Sequence, residues 1–116
     1  MRSRPKDLGT AQETRVVNAA QDRGLIAERL AEGGANDRGD VRILTDVEWV
    51  LECKDRMNLN VHQALEKALL KSGTRDTVVV WRKMVRRADS SRRVQDGPVV
   101  VALTLERFLE LLKVGV

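Results

Sequence analysis

Residues 77–81 read TVVVW, four apolar side chains in a row behind one threonine. A strand this apolar is covered on both faces, so it reads as a central strand of a sheet. Residues 98–103, PVVVAL, give a further strand. Helical patterns separate the strands. Val61, Leu65, Ala68 and Leu69 share one face of a helix over 60–72, with Asn60 as its cap and Gly73 as its stop. Thr104 opens a last helix whose Leu105, Phe108, Leu109 and Leu112 are expected to face inward. Strands divided by helices predict an α/β domain with a mixed central sheet.

Upstream, Thr10-Ala11-Gln12-Glu13 fits a capping box that opens a helix ended by Gly24. Val16, Val17 and Ala20 lie on one face of it, and Glu13 falls on that same buried-facing stripe. Residues 1–9 read as a mobile basic arm, leaving 10–116 as the single domain. Residues 25–31, LIAERLA, favour helix by propensity but are caught between glycines. Residues 33–40, GGANDRGD, are a loop by composition. A hairpin follows: a strand over 41–44, a turn at Thr45-Asp46, and a strand over 47–54. In the second strand Val47, Trp49, Leu51 and Cys53 point one way, and Glu48, Val50, Glu52 and Lys54 the other.

At 116 residues with 42 % hydrophobic content, the chain suits one domain with one core and is too apolar for a disordered tail. It has no run of the roughly 18–20 apolar residues a membrane span needs. Nor does the basic N-terminus precede an apolar signal segment. The lone Cys53 rules out an internal disulfide and a cysteine-based zinc cluster. A reducing cytoplasm is the expected compartment. Of 21 basic residues, 15 are Arg, the better fork for phosphate, and the net charge is +4. Three aromatic residues are too few for a single-strand binder built on stacking. A small core of modest side chains gives dimerisation a prior.

Chemistry concentrates at Asp40 and Glu52-Cys53-Lys54. Glu52 and Lys54, two apart on a strand, share a face about 6–7 Å apart. Two carboxylates at one spot repel unless a cation or proton lies between them. A hard divalent ion such as Mg²⁺ is the natural occupant, and an amine beside it can position water or stabilise charge on a phosphate. Taken alone, E-x-K on a strand is a common solvated pair. Asp37 is a second candidate ligand if the loop boundary shifts.

Asp40 followed by Glu52-x-Lys54 resembles the PD-(D/E)xK nuclease signature. With Glu13 as an upstream helical acid, the pattern is similar to archaeal-type Holliday junction resolvases and to small phage-encoded resolvases. The resemblance spans the first helix, the glycine-rich loop, the Leu51–Lys54 strand, the next helix and TVVVW. It departs at Gly39, where the signature carries Pro, and at Cys53, where a branched apolar residue is usual.

The resemblance implies a restriction-endonuclease-like fold, with residues 25–31 as a strand. It implies Asp40, Glu52 and the Cys53 carbonyl as ligands of Mg²⁺, with Mn²⁺ as a substitute. Lys54 would activate water, and Glu13 would bind the metal through water or order the site. The substrate would be a four-way DNA junction cut symmetrically by a homodimer in a prokaryotic or phage-infected cytoplasm. Trp49, Leu105 and Leu109 are candidate interface residues. Arg38, Arg56, Gln63, Arg82, Lys83, Arg86, Arg87, Arg92 and Arg93 are candidate DNA contacts. The blander readings are a solvated hairpin tip for 82–93 and a surface residue for His62. Competing functions are another repair or restriction-like endonuclease, a DNA binder of this fold that does not cut, and a plain α/β interaction module.

Overall fold

The structure, a computed structural model, describes residues 5–30, 37–88 and 92–114. Helix α1 (Pro5–Gln21) leads into β1 (Ile26–Arg29), β2 (Val41–Leu44) and β3 (Glu48–Arg56). Then come α2 (Val61–Ser72), β4 (Thr77–Arg86), β5 (Arg93–Gln95), β6 (Val100–Ala102) and α3 (Leu105–Val114). The sheet runs β1-β2-β3-β4-β5, with β6 also on β4. Only β3 and β4 pair in parallel, across the α2 crossover, so the sheet is mixed and the class is α/β. No helix among the described residues is long and apolar enough to cross a membrane.

The TVVVW strand is central. Val78, Val79 and Val80 are buried, between β3 on one side and β6 on the other. Val17 and Ala20 of α1 close a core with Ala27, Val41, Leu51, Val78 and Val80. The other face of β3 and β4 meets α2 through Ala68 and Ser72. Both ends of α2 form as expected. Asn60 Oδ1 accepts from the Gln63 N–H at 3.0 Å, and Gly73, at φ +72°, donates to the Leu69 carbonyl.

Three expectations are corrected and one, the second below, is met. First, α1 starts at Pro5, so residues 5–9 are helix and Thr10 cannot cap it. Proline suits the first helical position, where its missing N–H costs nothing. Residues 1–4 of the expected arm, and Gly33 to Asn36 of the glycine-rich loop, lie outside the described residues. Second, the strand that the resemblance implies within 25–31 forms over 26–29, against helix propensity, because β1 pairs along β2 and Ala27 is buried in the core. Third, β4 continues to Arg86 and pairs with β5, so much of the basic run 82–93 is hairpin strand.

Fourth, α3 is turned over. Leu105, Phe108, Leu109 and Leu112 are 70, 46, 52 and 54 % exposed. The inward contact is polar. Arg107 stacks on Trp49, 5.0 Å from the ring centroid, and pairs with Asp76 at 2.5 Å, while Glu110 meets Arg75 at 3.0 Å. A helix faces inward with the side that finds partners, and here a buried carboxylate outbids the leucine stripe.

Candidate active site

The hairpin sets the site. β2 and β3 pair Val41 with Leu51 and Leu44 with Glu48. The ladder ends at Val41 and Leu51: Asp40 still donates its N–H to the Leu51 carbonyl, so residues 40 and 41 share Leu51 as in a bulge. From there the Asp40 charge acts on Glu52. The loop between the strands holds three residues, Thr45 to Val47, not the expected two. Thr45 closes it, donating through N–H and hydroxyl to the Val47 carbonyl at 2.9 and 3.1 Å.

Asp40 is pinned on three sides. Its N–H donates to the Leu51 carbonyl at 3.0 Å, and its carbonyl accepts from Leu30 at 2.9 Å. Its Oδ2 accepts from the Cys53 N–H at 2.8 Å. Gly39 lets the chain pass close to β3: a Cβ there would lie 2.4 Å from Val50 Cγ1. That contact excludes the signature's proline as firmly as alanine.

Glu52 Oε1 stands 3.7 Å from Lys54 Nζ, and Lys71 Nζ lies 3.4 Å from Glu52 Oε2 and 3.4 Å from Asp37. Burial and the neighbouring Asp40 charge push the Glu52 carboxyl above the ordinary carboxylate range, with Lys71 and Lys54 offsetting only part. The folded chain thus holds a proton on Glu52 where the unfolded chain has released it. Stability falls as pH rises through that window, and the deficit is complete above the folded value. Glu52→Gln, neutral throughout, is expected to raise the Tm of the metal-free protein near neutral pH by about 2–5 °C. The gain should vanish toward about pH 4, where glutamate is itself protonated. Thermal melts in EDTA across pH check this.

Cys53 points to the α1 side. Burial, with the charges of Asp40, Glu13, Glu52 and Asp55, drives its thiol far above the usual range, so it is no nucleophile. Glu13 shares that side: it is 4 % exposed and 3.7 Å from Arg29. From the α1 side, the Glu13 charge reaches the Cys53 thiol, as do those of Asp40 and Glu52. Among the described residues, no three Asp, Glu, His or Cys side chains form a metal-holding group.

A cleft of about 290 Å³ opens beside Glu52 and Lys54, against α2. Arg56 and Gln63 line it, together with Asn60, Lys67 and Lys71. The two lysines escaped the sequence reading. Their signal is the polar stripe Gln63, Lys67, Lys71 at four-residue spacing, opposite the apolar face of α2.

The remaining candidates divide. Arg38 is engaged by Glu48 at 2.6 Å and the Ser72 carbonyl at 3.1 Å. Arg82 forks onto Asp55, its register partner on β3, with its side chain 11 % exposed. Lys83 pairs with Asp96 at 3.6 Å. Arg86, Arg87, Arg92 and Arg93 are exposed on the β4–β5 hairpin, with Arg86 and Arg93 directly opposed. Like charges across a ladder repel, which an anion would relieve. His62 is a solvent-side residue, bonded to Glu66 one turn on at 2.9 Å.

A scan against protein-family models finds none that matches the chain, and a search of curated proteins finds no significant match.

Proposed function

We propose that this chain is a metal-dependent DNA endonuclease of the PD-(D/E)xK type, with a restriction-endonuclease-like fold, that cuts four-way junctions. The observation that carries the reading is that Asp40, bonded to the Leu51 carbonyl and the Cys53 N–H of β3, stands near enough to Glu52 for its charge to raise that carboxyl, with Lys54 two residues beyond. The resemblance requires that juxtaposition, and a chance E-x-K strand does not supply it.

A divalent ion fits the donors present. Mg²⁺ needs only one or two carboxylates besides water and phosphate oxygens. Asp40, Glu52 and the Cys53 carbonyl would hold it, and Mn²⁺ would substitute. The raised Glu52 carboxyl is the electrostatic counterpart, an acid pair short of positive charge. Bound there, the ion supplies Lewis acidity and a lowered water pKa. Glu13, on the α1 side, would bind it through water or order the site.

Lys54 positions the attacking water and stabilises charge growing on the phosphate. Water adds to phosphorus in line, the bond to the 3′ oxygen breaks, and that oxygen takes the proton. The ends are a 5′-phosphate and a 3′-hydroxyl. Arg56, Lys67 and Gln63 in the cleft, with the arginines of the β4–β5 hairpin, hold the sugar–phosphate chain without reading sequence.

One observation favours a second reading. Lys71 already places an ammonium between Glu52 and Asp37, as a protein that binds DNA without cutting would. A labelled four-way junction and a linear duplex of the same sequence, incubated with Mg²⁺ or EDTA, separate the two. Paired symmetric nicks in the junction alone, lost in EDTA, are the expected result. Equal cutting of both substrates would remove junction selectivity. A folded protein that shifts DNA but cuts nothing in Mg²⁺ or Mn²⁺ would favour the non-cutting binder.

A further inference from the structure

The outward face of α3 has no counterpart among the described residues. Leu105, Phe108, Leu109 and Leu112 follow one another at helical spacing and form a single stripe, 46–70 % exposed. The strand just before the helix exposes Val100 and Val101, 44 and 56 %, on its two opposite faces, so one of them can border the stripe, and among the described strands β6 pairs only with β4. The opposite side of α3 is anchored by Arg107 on Asp76 and Trp49 and by Glu110 on Arg75. The helix is therefore fixed in place with its apolar side outward.

Taking roughly 150 Å² for a large apolar side chain, five of them about half exposed present on the order of 400 Å². A stable interface takes about 800 Å² from each partner, a little over half of it apolar. The face matches that requirement.

Charge selects the occupant. Glu106 opens α3 and Lys113 lies seven residues on, both on the same flank of the stripe. When two such helices meet antiparallel about a twofold axis, equivalent flanks face each other. Glu106 of one copy then stands beside Lys113 of the other, twice per interface. A parallel arrangement brings no such pair together. We infer that this face binds a second copy of the chain, with α3 packed antiparallel on its twin and β6 at the margin. The inference stands on the helix surface alone and is independent of the nuclease reading.

Sedimentation equilibrium of the full chain from about 1 to 100 µM tests it. The wild type is expected to be a dimer. Leu105→Asp with Leu109→Asp is expected to raise the dissociation constant at least about 100-fold. Unchanged circular dichroism would show that the variant still folds, since both positions are largely solvent-exposed. Glu106→Lys alone should weaken the dimer about 3- to 10-fold by opposing lysine to lysine, and adding Lys113→Glu should restore it. A wild type monomeric at the highest concentration overturns the inference and hands the face to a different partner. So does a dimer indifferent to the paired leucine substitutions. A dimer lost with the leucines but blind to both charge variants overturns the antiparallel arrangement.

Discussion

Asp40→Asn is expected to lower junction cleavage by on the order of 10³-fold, about 4 kcal/mol of transition-state stabilisation, while leaving the chain folded. The fold survives because asparagine keeps a side-chain oxygen for the Cys53 N–H, now bonded at 2.8 Å, and keeps both backbone bonds of the position. What goes is one negative charge. Glu52 is held above its ordinary range first by burial and then by Asp40. The variant relieves the second cause and weakens the call for a cation at the same stroke. Its metal-free form should thus melt no lower than wild type, and Mg²⁺ should raise its Tm less than it raises that of wild type. Asp37→Asn is the informative companion. Asp37 meets Lys71, whereas Asp40 is bonded to β3 and its charge raises the Glu52 carboxyl. Cleavage within a few-fold of wild type is expected there. Single-turnover cleavage and melts with and without Mg²⁺ check both variants. Loss of cleavage with Asp37→Asn and not with Asp40→Asn would move the ligand to Asp37.

The contrast between these two aspartates shows what the sequence could and could not say. Asn60 and Gly73 bound α2 as expected, because capping is settled by a few adjacent residues. The central TVVVW strand was legible for a similar reason: five residues carry the whole signal. The hairpin was half legible. Alternation identified its strands, but the place of Asp40 rests on bonds to Leu51 and Cys53 beyond the end of the ladder, and the turn at Thr45-Asp46 takes in Val47 as well. Helix faces were the least legible. Glu13 was expected on a buried stripe and is buried, yet the periodicity of one helix does not say which face of the sheet it packs on. In α3 the periodicity correctly located the apolar stripe. Its direction was set by Arg107, Asp76 and Trp49, which lie far apart in the chain. Lys67 and Lys71 belong to the same class, since a polar stripe reads as solvent-facing until a cleft stands opposite it.

Gly39→Ala is expected to cost about 2 kcal/mol, which lowers the Tm by roughly 8–12 °C in a chain of this size. An added Cβ would lie 2.4 Å from Val50 Cγ1 and 3.5 Å from the Leu51 carbonyl. Val50 cannot yield easily. It is 1 % exposed, its branched side chain has one preferred rotamer, and its own N–H donates to the Asp76 carbonyl at 3.0 Å. The strain must therefore go into the chain at Gly39, one residue before Asp40. Asp40 is held to Leu51, Cys53 and Leu30, so displacing residue 39 loosens the bonds that aim its carboxylate. Cleavage should then fall by more than the loss of folded protein accounts for. Shortening the obstacle separates steric conflict from backbone strain. Val50→Ala alone should destabilise by about 1–3 kcal/mol as a core truncation, but together with Gly39→Ala it should cost less than the sum of the two. A coupling of about 1 kcal/mol or more in denaturant melts would establish the contact, and strictly additive costs would refute it. Recovery of cleavage in the double variant would further show that the glycine serves the site by letting Asp40 settle against β3.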